Sequence, residues 1–234
     1  MGERAEHSRE MHNLRTMKIN FVSDVACPWC AVGLWSLDRA LERLGDEVQV
    51  ELHFEPFELN PTLPAEGEDA AEYLMRKYGA SPEQLAKNRG VIRERGAAVG
   101  FAFGERPRVW NTFDAHRLLH WAELEGLDRQ AALKKALLKA CHTDGENPSD
   151  PEVLVRLAAE SGLDAARARA ILASDEYAAE TRQRERLYTD AGIHSVPAII
   201  IDNKHLISGG QPVEVFERAL RQIAGAEPAR VAEA

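Results

Sequence analysis

The sequence predicts an α/β protein in which a βαβ unit and a ββα unit are separated by a large all-helical insertion. Three observations lead there. Residues 18–23 and 48–54 carry strand patterns on either side of an amphipathic helix. Residues 62–189 carry helical periodicity, and residues 198–208 return to strand character before a last amphipathic helix. The expected organisation is a discontinuous α/β unit, 17–61 with 190–225. The insertion occupies 62–189, and loose tails flank the whole at 1–16 and 226–234.

Lys18 to Ser23 places Ile19 and Phe21 in alternation, which suits a short strand. Past Cys30, Leu34, Leu37, Leu41 and Leu44 recur at steps of three and four, one buried helical face. Pro28 fits the first turn, where its missing N–H has no helical partner to lose. Gly45 is a stop signal. Val48, Val50, Leu52 and Phe54 alternate with polar residues as the second strand, ended by Pro56 and Pro61. A strand, helix and strand over this length make a βαβ unit.

The insertion opens its clearest helix with Ser81-Pro82-Glu83-Gln84, an N-cap, an N1 proline and a capping-box partner. Gly96 and Gly100 close that helix. Asn111 or Thr112 caps the next, with Ala115, Leu118, Leu119 and Ala122 on one face. Leu133, Ala136, Leu137, Ala140 and Cys141 form another stripe. Asp150, Asp164 and Ser174 read as caps of three more, for six helices and no strand. Ala198 to Ile201 is a continuous apolar run, as in a strand buried on both faces. Asn203 turns the chain, 204–208 run back antiparallel, and Phe216, Ala219, Leu220 and Ile223 mark the final helix, entered at Pro212.

With 234 residues, 44% of them hydrophobic, the chain can bury a full core. A net charge of −9 without a Lys/Arg cluster argues against nucleic-acid and anionic-membrane partners. Residues 1–16 lack the apolar core of a signal peptide, and no apolar run approaches the ~20 residues that span a bilayer. The expected location is cytoplasmic. Composition does not speak to oligomeric state.

Three cysteines do not make a disulfide scaffold. Cys27-Pro28-Trp29-Cys30 is then redox-active, metal-binding or incidental. A redox pair fits best, because the motif follows a strand and opens a helix. Cys27 would sit where unpaired N–H groups and the positive helix end favour a thiolate, the nucleophile of disulfide exchange. Cys30, one turn on, would resolve the mixed disulfide. The expected asymmetry is an exposed Cys27 and a more buried Cys30, with Trp29 exposed between them as a contact for apolar substrate. Zinc is the competing reading. It wants four ligands, and His116 and His120, four apart on one helix, could complete a set with the two cysteines. No carboxylate pattern accompanies those histidines, and the expected metal is none. Asp24 and His194 are possible tuning residues, and Cys141 reads as a buried small hydrophobe. Val196-Pro197 stands at a strand entrance, a place where a cis X-Pro bond is a specified feature.

The stretches FVSDVACPWC, FEPFELNP, NTFDAHRLLHWA, SVPAIIIDN and ISGGQP together resemble the DsbA-family, FrnE-like group of thioredoxin-fold dithiol oxidoreductases. That group is related to 2-hydroxychromene-2-carboxylate isomerases and kappa-class glutathione transferases. The resemblance covers about residues 17 to 224 and implies a thioredoxin-like fold split by a helical insertion. It implies Cys27 and Cys30 as the redox pair and Val196-Pro197 as a cis-proline loop facing substrate. By analogy with the glutathione-using relatives, Asn60 would face a substrate cleft. It implies a thiol-disulfide oxidoreductase acting on disulfide or dithiol proteins or small thiols. No cofactor is required and glutathione is the one possible. The alternative is a glutathione-dependent isomerase or transferase of small aromatic or polyketide-like substrates. Those branches carry a serine near the Cys27 position, whereas this chain keeps both cysteines.

Overall fold

The computed structural model describes residues 16–226. Apart from Thr16 and Ala226, which belong to regular elements, the expected tails lie outside the described residues. The chain begins with β1 (Thr16–Ser23), α1 (Pro28–Leu44) and β2 (Gln49–Pro56). β1 and β2 pair in parallel, with Ile19 opposite Leu52 and Phe21 opposite Phe54, as a βαβ unit requires. Gly45 ends α1 at positive φ, a conformation glycine adopts without penalty.

The C-terminal part supplies β5 (Ala198–Ile201), β6 (His205–Ser208) and α9 (Val213–Ala226). The sheet order is β2-β1-β5-β6, with β5 antiparallel to both neighbours. Asp202 and Asn203 link β5 to β6 with φ of 52° and 55°. Two consecutive positive φ values belong to the tight hairpin turn whose twist matches the strands. One face of the sheet buries Ile19, Phe21, Ile199 and Ile201 against Leu34 and Leu37 of α1 and Phe216 and Leu220 of α9. Val22 and Ala198 meet Phe57, Tyr188 and Ile193 in a separate cluster. The central strands are therefore covered on both sides, which explains the unbroken apolar run at 198–201.

Between β2 and β5 lie seven α-helices: α2 (Ala70–Tyr78), α3 (Pro82–Val99), α4 (Phe113–Glu125), α5 (Leu127–Lys139), α6 (Pro151–Glu160), α7 (Ala165–Leu172) and α8 (Ala178–Asp190). Ser81 and Gln84 form the reciprocal capping box. Three details depart from the sequence reading. First, a two-residue ladder pairs β3 (Glu68–Asp69) with β4 (Arg108–Val109), so the segment is not wholly helical. Second, α2 was not foreseen; Asp69 caps it through the Ala71 and Glu72 N–H groups. Third, Ser174 does not cap α8. Its hydroxyl accepts from Glu176 N–H in the preceding turn, and Tyr177, at φ 62°, leads into the helix.

Two buried polar side chains hold this segment, Gln130 against the sheet and Arg117 within the segment itself. Gln130 on α5 accepts from Phe54 N–H and donates to Phe54 C=O, both at 3.0 Å, and so extends the edge of β2 like a strand residue. Arg117 on α4 is 4% exposed. It donates to Asp114 Oδ1 on its own helix and to the carbonyls of Ile171, Ser174 and Glu176. It thereby ties α4 to the α7–α8 connection. Among the described residues no helix is long and apolar enough to cross a membrane.

Candidate active site

The turn between β1 and α1 is held from the helical segment residue by residue. Asp24 is buried. Its carboxylate accepts from Thr112 Oγ1 (2.7 Å), Leu59 N–H (2.7 Å) and Ala26 N–H (3.1 Å), with His116 Nε2 at 3.4 Å. The Val25 carbonyl lies 2.9 Å from His142 Nε2, and the Ala26 carbonyl accepts from Arg106 at 2.9 Å. His142 sits in the π-helical turn that follows α5. Burial pushes the Asp24 carboxyl up, but His116 and the two donors Leu59 and Thr112 outweigh it and hold the group below its usual range. Asp24 is thus a buried anion beside the dithiol.

Cys27 is the N-cap of α1 and Pro28 its first residue. No acidic residue occupies the first turn of α1 to compete for its N–H groups. Cys27, Cys30 and Cys141 are all free thiols. The Cys30 thiol donates to the Cys27 sulfur, and this bond lowers the Cys27 thiol; burial opposes, while the backbone N–H groups of Cys30 and Trp29 reinforce the lowering. Cys30 is pushed well up, by burial first and then by the bond to Cys27 and its charge. The pair is therefore split in the direction that makes Cys27 the thiolate. Cys27 is buried rather than exposed, contrary to the sequence expectation. Cys27 is 4% exposed and Cys30 0%, because the loop before β5 comes down on Cys27. In its thiol form Cys27 donates to the Val196 carbonyl at 3.6 Å.

Asp24 acts against Cys27 ionisation, since like charges repel. An Asp24→Asn variant is therefore expected to titrate Cys27 at lower pH than the wild type, read from the ultraviolet absorbance of the thiolate. An unchanged or higher midpoint would contradict this arrangement.

The Val196-Pro197 peptide is cis. α1 approaches this loop closely at Gly33, where a Cβ would stand 3.1 Å from Pro197 Cγ. Gly210, after β6, backs the motif in the same way: a Cβ there would lie 2.8 Å from the Trp29 carbonyl. Trp29 is half-buried rather than exposed. Arg95 of α3 lies over its ring, 5.8 Å from the centroid, and donates to the Gly210 carbonyl at 3.0 Å. Beside Pro28 a cavity of about 120 Å³ opens between Leu74, Ile92, Phe103, Arg106 and His142.

The other sequence-singled residues lie as follows. His194 is exposed and bonds to neither sulfur. Asn60 does not face a cleft freely: its amide oxygen accepts from Tyr73 and Lys77 of α2. His116 faces Asp24, while His120 packs against Tyr177 at 5.4 Å, so the two do not converge on the cysteines. Cys141 is buried in the core of the helical segment, and burial raises its thiol. Sequence reasoning missed Thr112 as a partner of Asp24, along with Arg106, His142 and Lys134. Lys134 of α5 is fully buried. Burial lowers it, and the charges that oppose this are Cys30, Asp24 and Cys27. The only available signal was its polarity within a strongly helical stripe.

A dithiol at the start of the helix after β1, with a cis-proline loop opposite it, is the arrangement of a thioredoxin-fold protein. The branch follows from the sequence match: residues 18–221 fit the model of the DSBA-like thioredoxin domain, and the chain belongs to that family. It is similar to a probable DsbA oxidoreductase of Streptomyces coelicolor at 36% identity and a TM-score of 0.84, over 93% of this chain and 94% of that one. It is similar to the uncharacterized protein YwbO of Bacillus subtilis at 28% identity over 211 residues, 88% of this chain and 96% of the relative. The cytosolic disulfide reductase DsbM of Pseudomonas aeruginosa, solved with GSH, shares the fold at 20% identity and a TM-score of 0.59, over 88% of this chain and 98% of that one.

Proposed function

We propose that the protein is a cytoplasmic thiol-disulfide oxidoreductase in which Cys27 attacks and Cys30 resolves. The observation that carries this reading is the placement of two free thiols at the start of α1, Cys27 as its N-cap and against the cis Val196-Pro197 loop; the lowered Cys27 and raised Cys30 agree with it. In the reducing direction the Cys27 thiolate attacks a substrate disulfide. A Cys27–substrate bond forms, and the other substrate sulfur leaves as a thiolate that takes a proton from water. Cys30 then attacks the Cys27 sulfur, the internal disulfide forms, and the second substrate thiol departs with the proton that Cys30 lost. A low-molecular-weight thiol, with glutathione as the natural choice, returns the enzyme to the dithiol. The Val196 carbonyl beside Cys27 is suited to meet an extended substrate backbone, and the cavity beside Pro28 to accept an apolar side chain.

The test is a Cys30→Ser variant mixed with a disulfide-bonded peptide. The expected result is a stable Cys27–peptide mixed disulfide, seen as a covalent mass increase that a reductant removes. Absence of the adduct overturns the dithiol reading. Full turnover by this variant with an aromatic substrate and glutathione would instead place the protein with the glutathione-dependent isomerases.

A further inference from the structure

Lys134 is the feature that this mechanism leaves unexplained. Its side chain is fully buried, and its Nζ has no hydrogen-bond partner. Burying an ammonium without partners is unfavourable, and an apolar residue of similar volume would serve packing better. Its placement is specific. Ala131, Lys134 and Leu138 stand three and four apart on α5, so they share one helix face. Ala131 and Leu138 pack into the cluster that contains Cys27 and Cys30. Gln130, one turn before Lys134, is locked to both polar groups of Phe54, which fixes the position of α5 against the sheet.

We infer that Lys134 is a positioning residue for the resolving step, its charge stabilising the Cys30 thiolate as that sulfur turns on the mixed disulfide. The inference rests on the dithiol reading and assigns a part of it to the helical segment. In the resting protein the Cys27 sulfur accepts from the Cys30 thiol. Once Cys27 is bonded to substrate, that thiolate is gone, and Cys30 must ionise within an apolar enclosure. The charged and titratable groups set against it are Cys27 from the turn and Lys134 from α5; the Asp24 carboxylate acts on Cys27, and His142, next to Arg106, acts with Asp24 and Lys134. The Asp24 carboxylate opposes ionisation of Cys27, and toward Cys30 Asp24 offers only a backbone hydrogen bond. Lys134 carries the opposite sign; of the charges that act on it Cys30 comes first, and it is shielded from water, so its field is little screened. The proton that Cys30 loses ends on the departing substrate thiolate, so no further acid or base is required.

The test separates the two steps in time. The protein is mixed with one equivalent of the chromogenic disulfide dithiobis(nitrobenzoate). A first nitrothiolate is released when Cys27 attacks, and a second when Cys30 resolves. In a Lys134→Met variant the first release is expected to stay close to the wild-type rate. The second is expected to slow by at least about tenfold, the factor that one pKa unit represents, with its pH profile displaced upward. Melting should be unchanged or higher, because an unpartnered buried charge has been removed. A second release with wild-type rate and pH profile overturns the role of Lys134 and leaves the dithiol reading standing. If the wild type itself gives no second release, the dithiol reading fails. A Lys134→Gln variant is read by the same criteria should the methionine form not fold.

Discussion

A Cys27→Ser variant is expected to lose disulfide reduction altogether in an insulin-reduction assay, while keeping the wild-type melting temperature. Both halves follow from the site. A serine hydroxyl does not ionise near neutral pH, and the reacting species in exchange is the thiolate. No neighbouring thiol can substitute. Cys30 is fully buried and its thiol is pushed well up, and Cys141 lies in a different core, also pushed up by burial. Stability should hold, because the Cys27 sulfur makes only weak contacts, 3.6 Å to the Val196 carbonyl and those to Cys30 and Trp29, which a serine oxygen can also make, and gives no side-chain cap to α1. Retention of activity would remove Cys27 from the reaction.

The largest stability loss is expected at Arg117. An Arg117→Ala variant removes the donors that serve the carbonyls of Ile171, Ser174 and Glu176. The Ile171 contact is buried, so water can replace the guanidinium there only by opening the α4–α7 packing. Breaking a buried charged hub of this kind costs on the order of 3–5 kcal/mol. For a chain of this size that is a fall in Tm of roughly 10 °C. Arg117→Lys should recover only part of it, since a lysine cannot span several acceptors with a planar fork. A melting temperature within a degree or so of wild type would show that these bonds are replaced by solvent at little cost.

Both predictions bear on what could be read from the sequence. The α/β frame was legible because its signals are local: leucines at helical spacing in α1, alternation in β1 and β2, an unbroken apolar run at β5, and a capping box before α3. Local signals also misled. Ser174 looks like a cap but closes a turn, and α2 went unseen because only Ala70 of its nine residues is buried. At the site, CPWC and Val196-Pro197 were legible because each is a contiguous motif. The groups that surround them were not, because they arrive from far along the chain. Lys134 and Gln130 show the physical reason. α5 is buried on two sides, and the apolar stripe of Leu133 and Leu137 reveals only the one facing the helical core. The other side, toward β2 and α1, sets Gln130 and Lys134 among Ala131 and Leu138, and a hydrophobic pattern assigns those two polar residues to water.

The turn at Asp24, Val25 and Ala26 carries a consequence for any attempt to transplant this chemistry. Thr112, His142 and Arg106 each satisfy a different one of its three residues, and all three lie between β2 and β5. A minimal scaffold assembled from the sheet, α1 and α9 would keep both sulfurs and the cis-proline loop. It would nevertheless strip the Asp24 carboxylate of Thr112 and leave the Val25 and Ala26 carbonyls without their protein donors, so the reactive centre is not a portable cassette. The helices inserted into this fold form the floor beneath the dithiol as much as a cover above it, and the two parts have to be inherited, or engineered, together.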